Sequence, residues 1–242
     1  RKWEAIERRL SRRADLVLTV NESIARELRM RYGLDVPPLV IRNVPRAGKE
    51  HGDASHWRDQ LVTEGPVLLF TGGISAGRGL AHLVAALAFL PDVTLVLMGP
   101  ADAAEVGRLQ AQATSIGAGR RLIVCPPVAP DAVASAAAEA DVGVVPYRPV
   151  SKNHRMSLPT KLFEYFAAGL PVVASDLPEI ARLIRERDAG VLFDPDDPHS
   201  IAAAVSAVVS NDAAYGRFRM NALRAGQDLR WEHEVQPLLK AW

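Results

Sequence analysis

The stretch TGGISAGRGL, residues 71–80, follows the apolar run PVLLF and leads straight into AHLVAALAFL. Glycines let a backbone come close to an anion. A helix start offers unpaired N–H groups with partial positive charge, and Arg78 adds a permanently charged fork that matches phosphate oxygens. Gly72 and Gly77 have the spacing of a P-loop, but Arg78 and Gly79 stand where that loop carries its lysine and Ser/Thr. No hydroxyl follows to hold Mg²⁺, so nucleotide-triphosphate hydrolysis is poorly supported. Taken alone, the turn is also explained as a tight strand-to-helix connection with an arginine in solvent.

A second group strengthens the anion reading. PYRPVSKNHRMSLPTKLFEYFAAGLPVVASDLPE follows a strand expected at 142–145. From 146 to 163 it has no acidic residue, yet it holds Arg148, Lys152, His154, Arg155 and Lys161. A helix is expected to begin near Pro159, whose missing N–H is harmless in a first turn, and to end around Gly169. Lys161 and Glu164 lie three apart and share a helix face. The pair sets a cation beside exposed backbone donors and a carboxylate one turn on, able to accept two hydrogen bonds from a vicinal diol such as a ribose. The competing account is a surface ion pair worth a few tenths of a kcal/mol. The apolar setting LFEYFAAG favours partial burial instead.

Other signals are weaker. DPD at 194–196 imitates a metal-binding acidic pair, but DPDDPHSIAAAV also reads as a turn, an Asp197 cap and Pro198 at the first helical position. The histidines show no metal-ligand spacing, so no metal is expected, and His154 reads as a solvated loop residue. RRLSRR reads as a solvated helix face, with a peripheral membrane role for a longer protein as the alternative. Asn21 and Asn43 could face a cleft between domains, or simply form turns.

Elements able to hold these residues repeat along the chain. Short β-branched runs at 16–20, 67–70, 93–98, 122–124, 142–145, 172–174 and 191–193 alternate with amphipathic segments, which implies parallel sheet covered on both faces. Such sheets bind ligands at the carboxyl ends of their strands. Apolar residues make up 48% and the formal charge is +1, which argues against a nucleic-acid partner. One cysteine leaves no internal disulfide and fits a cytoplasmic protein. No apolar run reaches the ~18 residues of a membrane span. The polar stretch at 43–65 reads as an interdomain connection. The division expected is 1–45 as the end of an N-terminal, acceptor-side domain, 46–65 as linker, 66–225 as a complete domain, and 226–242 as a terminal helix. The chain opens inside a helical pattern without an initiator Met, as a piece of a longer protein would.

Together VLLFTGGISAGRGLAHLVAAL, LPTKLFEYFAAGLPVVASDLPE and GVLFDPDDPHSIAAAV resemble the family 4 glycosyltransferases of the GT-B fold. The resemblance runs from about residue 14 to the C-terminus and is most specific over 161–179. It implies an α/β fold with a Rossmann-like parallel sheet that holds a nucleotide-diphosphate sugar, together with the end of a second Rossmann-like domain. It implies retaining transfer of the sugar to an acceptor that the sequence does not identify. The donor is a substrate, and no cofactor is implied. On this resemblance Glu164 binds the ribose and closes the family's E-x7-E motif. Arg78 and Lys161 face the diphosphate and assist its departure. Gly72, Gly73 and Leu162 belong to the donor site, and VCPPV, with Val124 and Val128, lies against the base. The tail WEHEVQPLLKAW resembles the helix that crosses back to the first domain. Two positions depart from the pattern: Met156 stands where the first motif glutamate contacts the sugar, and Gly73 stands where many members carry arginine. The alternative function is a non-catalytic module that binds the nucleotide sugar.

Overall fold

The computed structural model describes residues 2–46, 57–61, 63 and 65–241. A small parallel sheet joins β1 (Leu18–Thr19) to β2 (Leu39–Val40). Helix α1 (Lys2–Ser11) precedes it and α2 (Glu22–Tyr32) connects its strands. The run at 16–20 therefore forms a strand, shortened to two residues. The sequence pattern does not suggest β2, because Pro37 and Pro38 precede a pairing only two residues long.

The main sheet contains β3 (Val67–Thr71), β4 (Thr94–Met98), β5 (Leu122–Cys125), β6 (Val142–Val145), β7 (Val172–Ser175) and β8 (Gly190–Phe193). All are parallel, in the order β5-β4-β3-β6-β7-β8. The expected doubly covered sheet is thus present, and each of these six expected runs is a strand within one residue at either end. The helices along this part of the chain are α3 (Leu80–Ala86), α4 (Ala103–Ser115), α5 (Val133–Ala137), α6 (Lys152–Met156), α7 (Thr160–Ala167), α8 (Pro178–Arg187), α9 (Pro198–Val209) and α10 (Asp212–Asp228). Alternate residues of β3 feed two cores. Val67 and Leu69 pack with α5, α7 and α8 on one face. Leu68 and Phe70 pack with α3, α4 and α9 on the other. This period-2 division of a run apolar from Val67 to Phe70 is what burial on both faces requires.

The alanine-rich segment before β6 forms less helix than its propensity suggests. A 3-10 turn, Pro130–Ala132, leads into the five-residue α5. The chain must stop there to enter β6, and Asp141 accepts the Val67 amide at 2.7 Å at the sheet's start. Tertiary placement overrides propensity.

Most of the stretch expected to link two domains lies outside the described residues. The part at 57–61 packs on the main body: Trp57 is buried, and its indole N–H donates to Ala136 O at 2.9 Å. The tail forms α11 (Trp231–Glu234) and α12 (Gln236–Ala241). It meets the N-terminal segment directly. The Trp231 amide donates to Pro45 O at 2.9 Å, and the Glu234 carboxylate accepts the Arg42 amide at 2.8 Å and its guanidinium at 3.2 Å. No helix among the described residues is long and apolar enough to cross a membrane.

Candidate functional site

Strands β3 and β6 are the neighbours at which the strand order reverses, and a crevice opens at such a point in parallel sheets. They pair only through Leu68 with Val142 and Leu69 with Gly143. Beyond that they part, and the phenol of Tyr165 on α7 occupies the gap. Its oxygen accepts the Thr71 amide at 2.9 Å and the Thr71 hydroxyl at 3.2 Å, and donates to Leu69 O at 3.1 Å. The side chain thus serves backbone groups that lose their strand partner, which buried backbone requires. Burial pushes the phenol's pKa upward, so it stays a neutral donor and acceptor. Gly143 makes room for the ring, since a Cβ there would come within 2.5 Å of it. A glycine inside a strand is a sequence sign of close approach, and it is the one signal by which Tyr165 was discoverable.

The glycine turn sits at the carboxyl end of β3. Gly72 has φ +125° and Gly79, the residue before α3, has φ +80°. A Cβ on Gly79 would lie 1.9 Å from Pro146 O, so the turn and the exit of β6 touch there. A Cβ on Gly72 would lie 3.1 Å from the Lys161 ammonium nitrogen, which places that cation directly against the turn. Gly73 faces open space, with nothing within 4 Å of where its Cβ would be.

Lys161 comes from the first turn of α7, whose N-cap is Pro159, so the helix begins one residue later than the expected start at that proline. The helix closes at Gly169, φ +66°, where the Gly169 amide bonds Phe166 O and the Leu170 amide bonds Tyr165 O. This double closure is a Schellman cap. The Lys161 side chain is buried. Its nitrogen lies 3.6 Å from the Phe70 ring centre and 5.4 Å from that of Tyr147. Among the described residues no carboxylate forms an ion pair with it. Burial, with the Arg78 guanidinium adding to it and Glu164 opposing, pulls its pKa from 10.5 down to about 7. A cation held by aromatic faces alone is partly compensated and stays open to an anionic partner.

Glu164, one turn later, is half-buried and accepts no side-chain hydrogen bond among the described residues. Burial raises its pKa while Lys161 lowers it. Arg78 is exposed on the glycine turn. Arg78 and Glu164 act on the same ammonium with opposite sign, so turn and helix share one electrostatic neighbourhood. Leu162 is fully buried in the core, and its amide already bonds Pro159 O at 3.1 Å. Val124 and Val128 are half-buried and pack into opposite cores around the β5 edge. The strand ends form a continuous ledge from the turn to that edge, through Gly72 N–H to Met98 O at 2.9 Å and Gly99 N–H to Cys125 O at 3.3 Å.

Two other cations of the basic loop are engaged elsewhere. Arg148 pairs with Asp196 and Lys152 with Glu27. His154 is half-buried, its ring 6.3 Å from that of Tyr147. In DPD, Asp194 accepts the Asp196 amide, and Asp197 caps α9 through the His199 amide, both at 2.9 Å. Among the described residues no three His, Cys, Asp or Glu side chains gather to hold a metal. Asp197→Ala is expected to cost about 1 kcal/mol in urea unfolding, and added Mn²⁺ should not change the stability of the unaltered protein.

The family model for glycosyl transferases group 1 matches residues 65–211, more than half of the chain. The chain belongs to this family. It is 30% identical over 185 residues to a D-inositol 3-phosphate glycosyltransferase of Xylanimonas cellulosilytica, covering 75% of this chain and 43% of that protein. It is 35% identical over 159 residues to a phosphatidyl-myo-inositol mannosyltransferase of Mycolicibacterium smegmatis, covering 64% and 39%. The chain thus spans about half the length of the curated relatives it matches, or less. Among solved structures, Anabaena HepE in complex with UDP superposes with a TM-score of 0.81 at 23% identity, over 98% of this chain and 67% of that one. Sucrose-phosphate synthase of Thermosynechococcus elongatus gives 0.79 at 21%, over 98% and 60%. These likenesses establish the GT-B arrangement of the group 1 transferases.

Proposed function

We propose that the complete protein is a retaining glycosyltransferase using a nucleotide-diphosphate sugar, and that this chain carries its donor-binding half. In this reading 66–225 is the donor domain, 1–45 ends the acceptor-side domain, 46–65 links them, and 226–242 crosses back. One observation carries the proposal: the Lys161 ammonium, buried and without a carboxylate partner among the described residues, is set against the Gly72 turn that carries Arg78, with Glu164 one helical turn on. The two cations match a diphosphate. Glu164 matches the ribose diol, and the ledge toward Val124 and Val128 spans two strand spacings, about 10 Å, to the base. The HepE structure with UDP supports a ligand of this class.

In the transfer step the bond from C1 of the sugar to the phosphate oxygen breaks as the acceptor oxygen bonds C1 from the same face. The acceptor's proton passes to the departing diphosphate. Charge grows on that leaving group, and Arg78 and Lys161 stabilise it. The acceptor joins from residues this chain does not include. A second reading, a module that binds without transferring, is favoured by Met156 in place of the sugar-contacting acid. Activity of the full-length protein against a donor panel separates the two, since a pure binder forms no product.

Calorimetric titration of the chain with UDP, GDP and ADP tests the site. Arg78→Ala and Glu164→Ala are each expected to weaken the tightest of these by about 1–3 kcal/mol, roughly 5- to 150-fold. Unchanged affinity in either variant removes that residue from the pocket.

A further inference from the structure

The five residues 156–160 lead from α6 into Lys161, and few of their bonds are their own. The Ser157 amide and hydroxyl return to His154 O, and Pro159 O takes the Leu162 amide. The remaining restraints come from far along the chain. Asn21, fully buried, uses both ends of its amide. Its oxygen accepts the Ile24 amide at 2.9 Å and caps α2, while its nitrogen donates to Met156 O at 2.7 Å. The Asn43 side chain donates to the Thr160 hydroxyl at 3.3 Å. Two further contacts brace the same region: Glu27 pairs with Lys152, and the Ser23 amide and hydroxyl both donate to Glu179 on α8. Burial opposes ionisation of Glu179, but the Ser23 and Arg182 hydrogen bonds outweigh it and hold its pKa below the usual range. The N-terminal segment therefore grips the entry to α7 at both ends of 156–160.

We infer that Asn21 is a positioning residue for the donor site. It fixes the carbonyl of Met156, and through 156–160 the first turn of α7, so that the Lys161 ammonium meets the Gly72 turn where a diphosphate would sit. Residues at 21–43 thereby couple the acceptor side to donor affinity without touching the donor. This inference rests on the donor-site reading above.

Asn21→Ser separates the two ends of the asparagine. Serine still caps a helix but is too short to reach Met156 O. The test titrates the 242-residue chain with UDP, GDP and ADP, then takes the tightest nucleotide and its nucleoside through the variants. Expected is a loss of about five- to tenfold in nucleoside-diphosphate affinity, with the nucleoside changed less than about twofold. Asn43→Ala, an exposed position that leaves the fold intact should Asn21→Ser not fold, is expected to lose about two- to threefold in the same selective way. Equal diphosphate affinity in these variants overturns the inference. So does an equal loss for nucleoside and diphosphate, which marks general loosening. If the unaltered chain binds none of the three, the donor-site reading falls and takes this inference with it. Binding by the unaltered chain that the variants fully retain overturns the inference alone.

Discussion

Lys161→Met is expected to stabilise the unliganded protein and to weaken nucleoside-diphosphate binding by about 2–3 kcal/mol, roughly 30- to 150-fold. The two effects share a cause. A buried ammonium without a carboxylate costs stability, and its cation–π contact with Phe70 returns only part of that. Methionine fills a similar volume and contacts aromatic rings favourably, so the free protein is expected to gain about 1 kcal/mol or more. A bound diphosphate would then lose an ammonium that no carboxylate among the described residues pairs. Urea unfolding reads the first effect and calorimetry the second. A variant that gains stability and binds normally would dissociate Lys161 from the ligand.

The same lysine sets a pH dependence with a definite sign. Its pKa is 10.5 in the unfolded chain and about 7 in the fold. Between those values the unfolded chain holds a proton that the folded one has released. The buried-charge penalty is therefore complete below about pH 7 and is relieved as pH rises toward 10.5. Binding runs the other way. A diphosphate favours the ammonium, so affinity should fall above about pH 7, at most tenfold per unit, with proton uptake on binding. Lys161→Met should flatten both profiles.

How much of this was legible in the sequence differs between fold and site. The six core strands announce themselves because burial in the sheet leaves short, predominantly apolar runs, and the boundary residues Gly72, Gly79 and Gly169 punctuate the elements at turns with positive φ. Lys161 and Glu164 are legible from helix spacing, and Arg78 from the glycine turn. What spacing cannot convey is partnership. Arg148 and Lys152 look as available as Lys161, yet Asp196 and Glu27, far off in sequence, neutralise them. Lys161 is distinguished by burial against Phe70, a contact between residues 91 positions apart. Asn21 and Asn43 read equally as turn residues, and only tertiary structure brings them to Met156 and Thr160. Strand β2 escaped for a different reason, since a two-residue ladder leaves no period to detect.

Gly143→Ala is expected to be among the most destabilising single changes in the chain, by about 3 kcal/mol or more. The new methyl carbon would sit 2.5 Å from the Tyr165 ring, which is fully buried and cannot turn away. Relief requires either displacing α7 or bending β6. Both disturb the gap where the phenol serves Thr71 and Leu69, and displacing α7 also moves Lys161 and Glu164 away from the glycine turn. A double-mutant cycle isolates the cause. Tyr165→Leu alone removes the ring and leaves the Thr71 amide and Leu69 O without their partner, at a cost of about 1–3 kcal/mol. In that background Gly143→Ala should cost far less than it does alone, because the leucine leaves room for the methyl. If the two costs simply add, the ring is not what the glycine accommodates, and the widening of the sheet between β3 and β6 must have another cause.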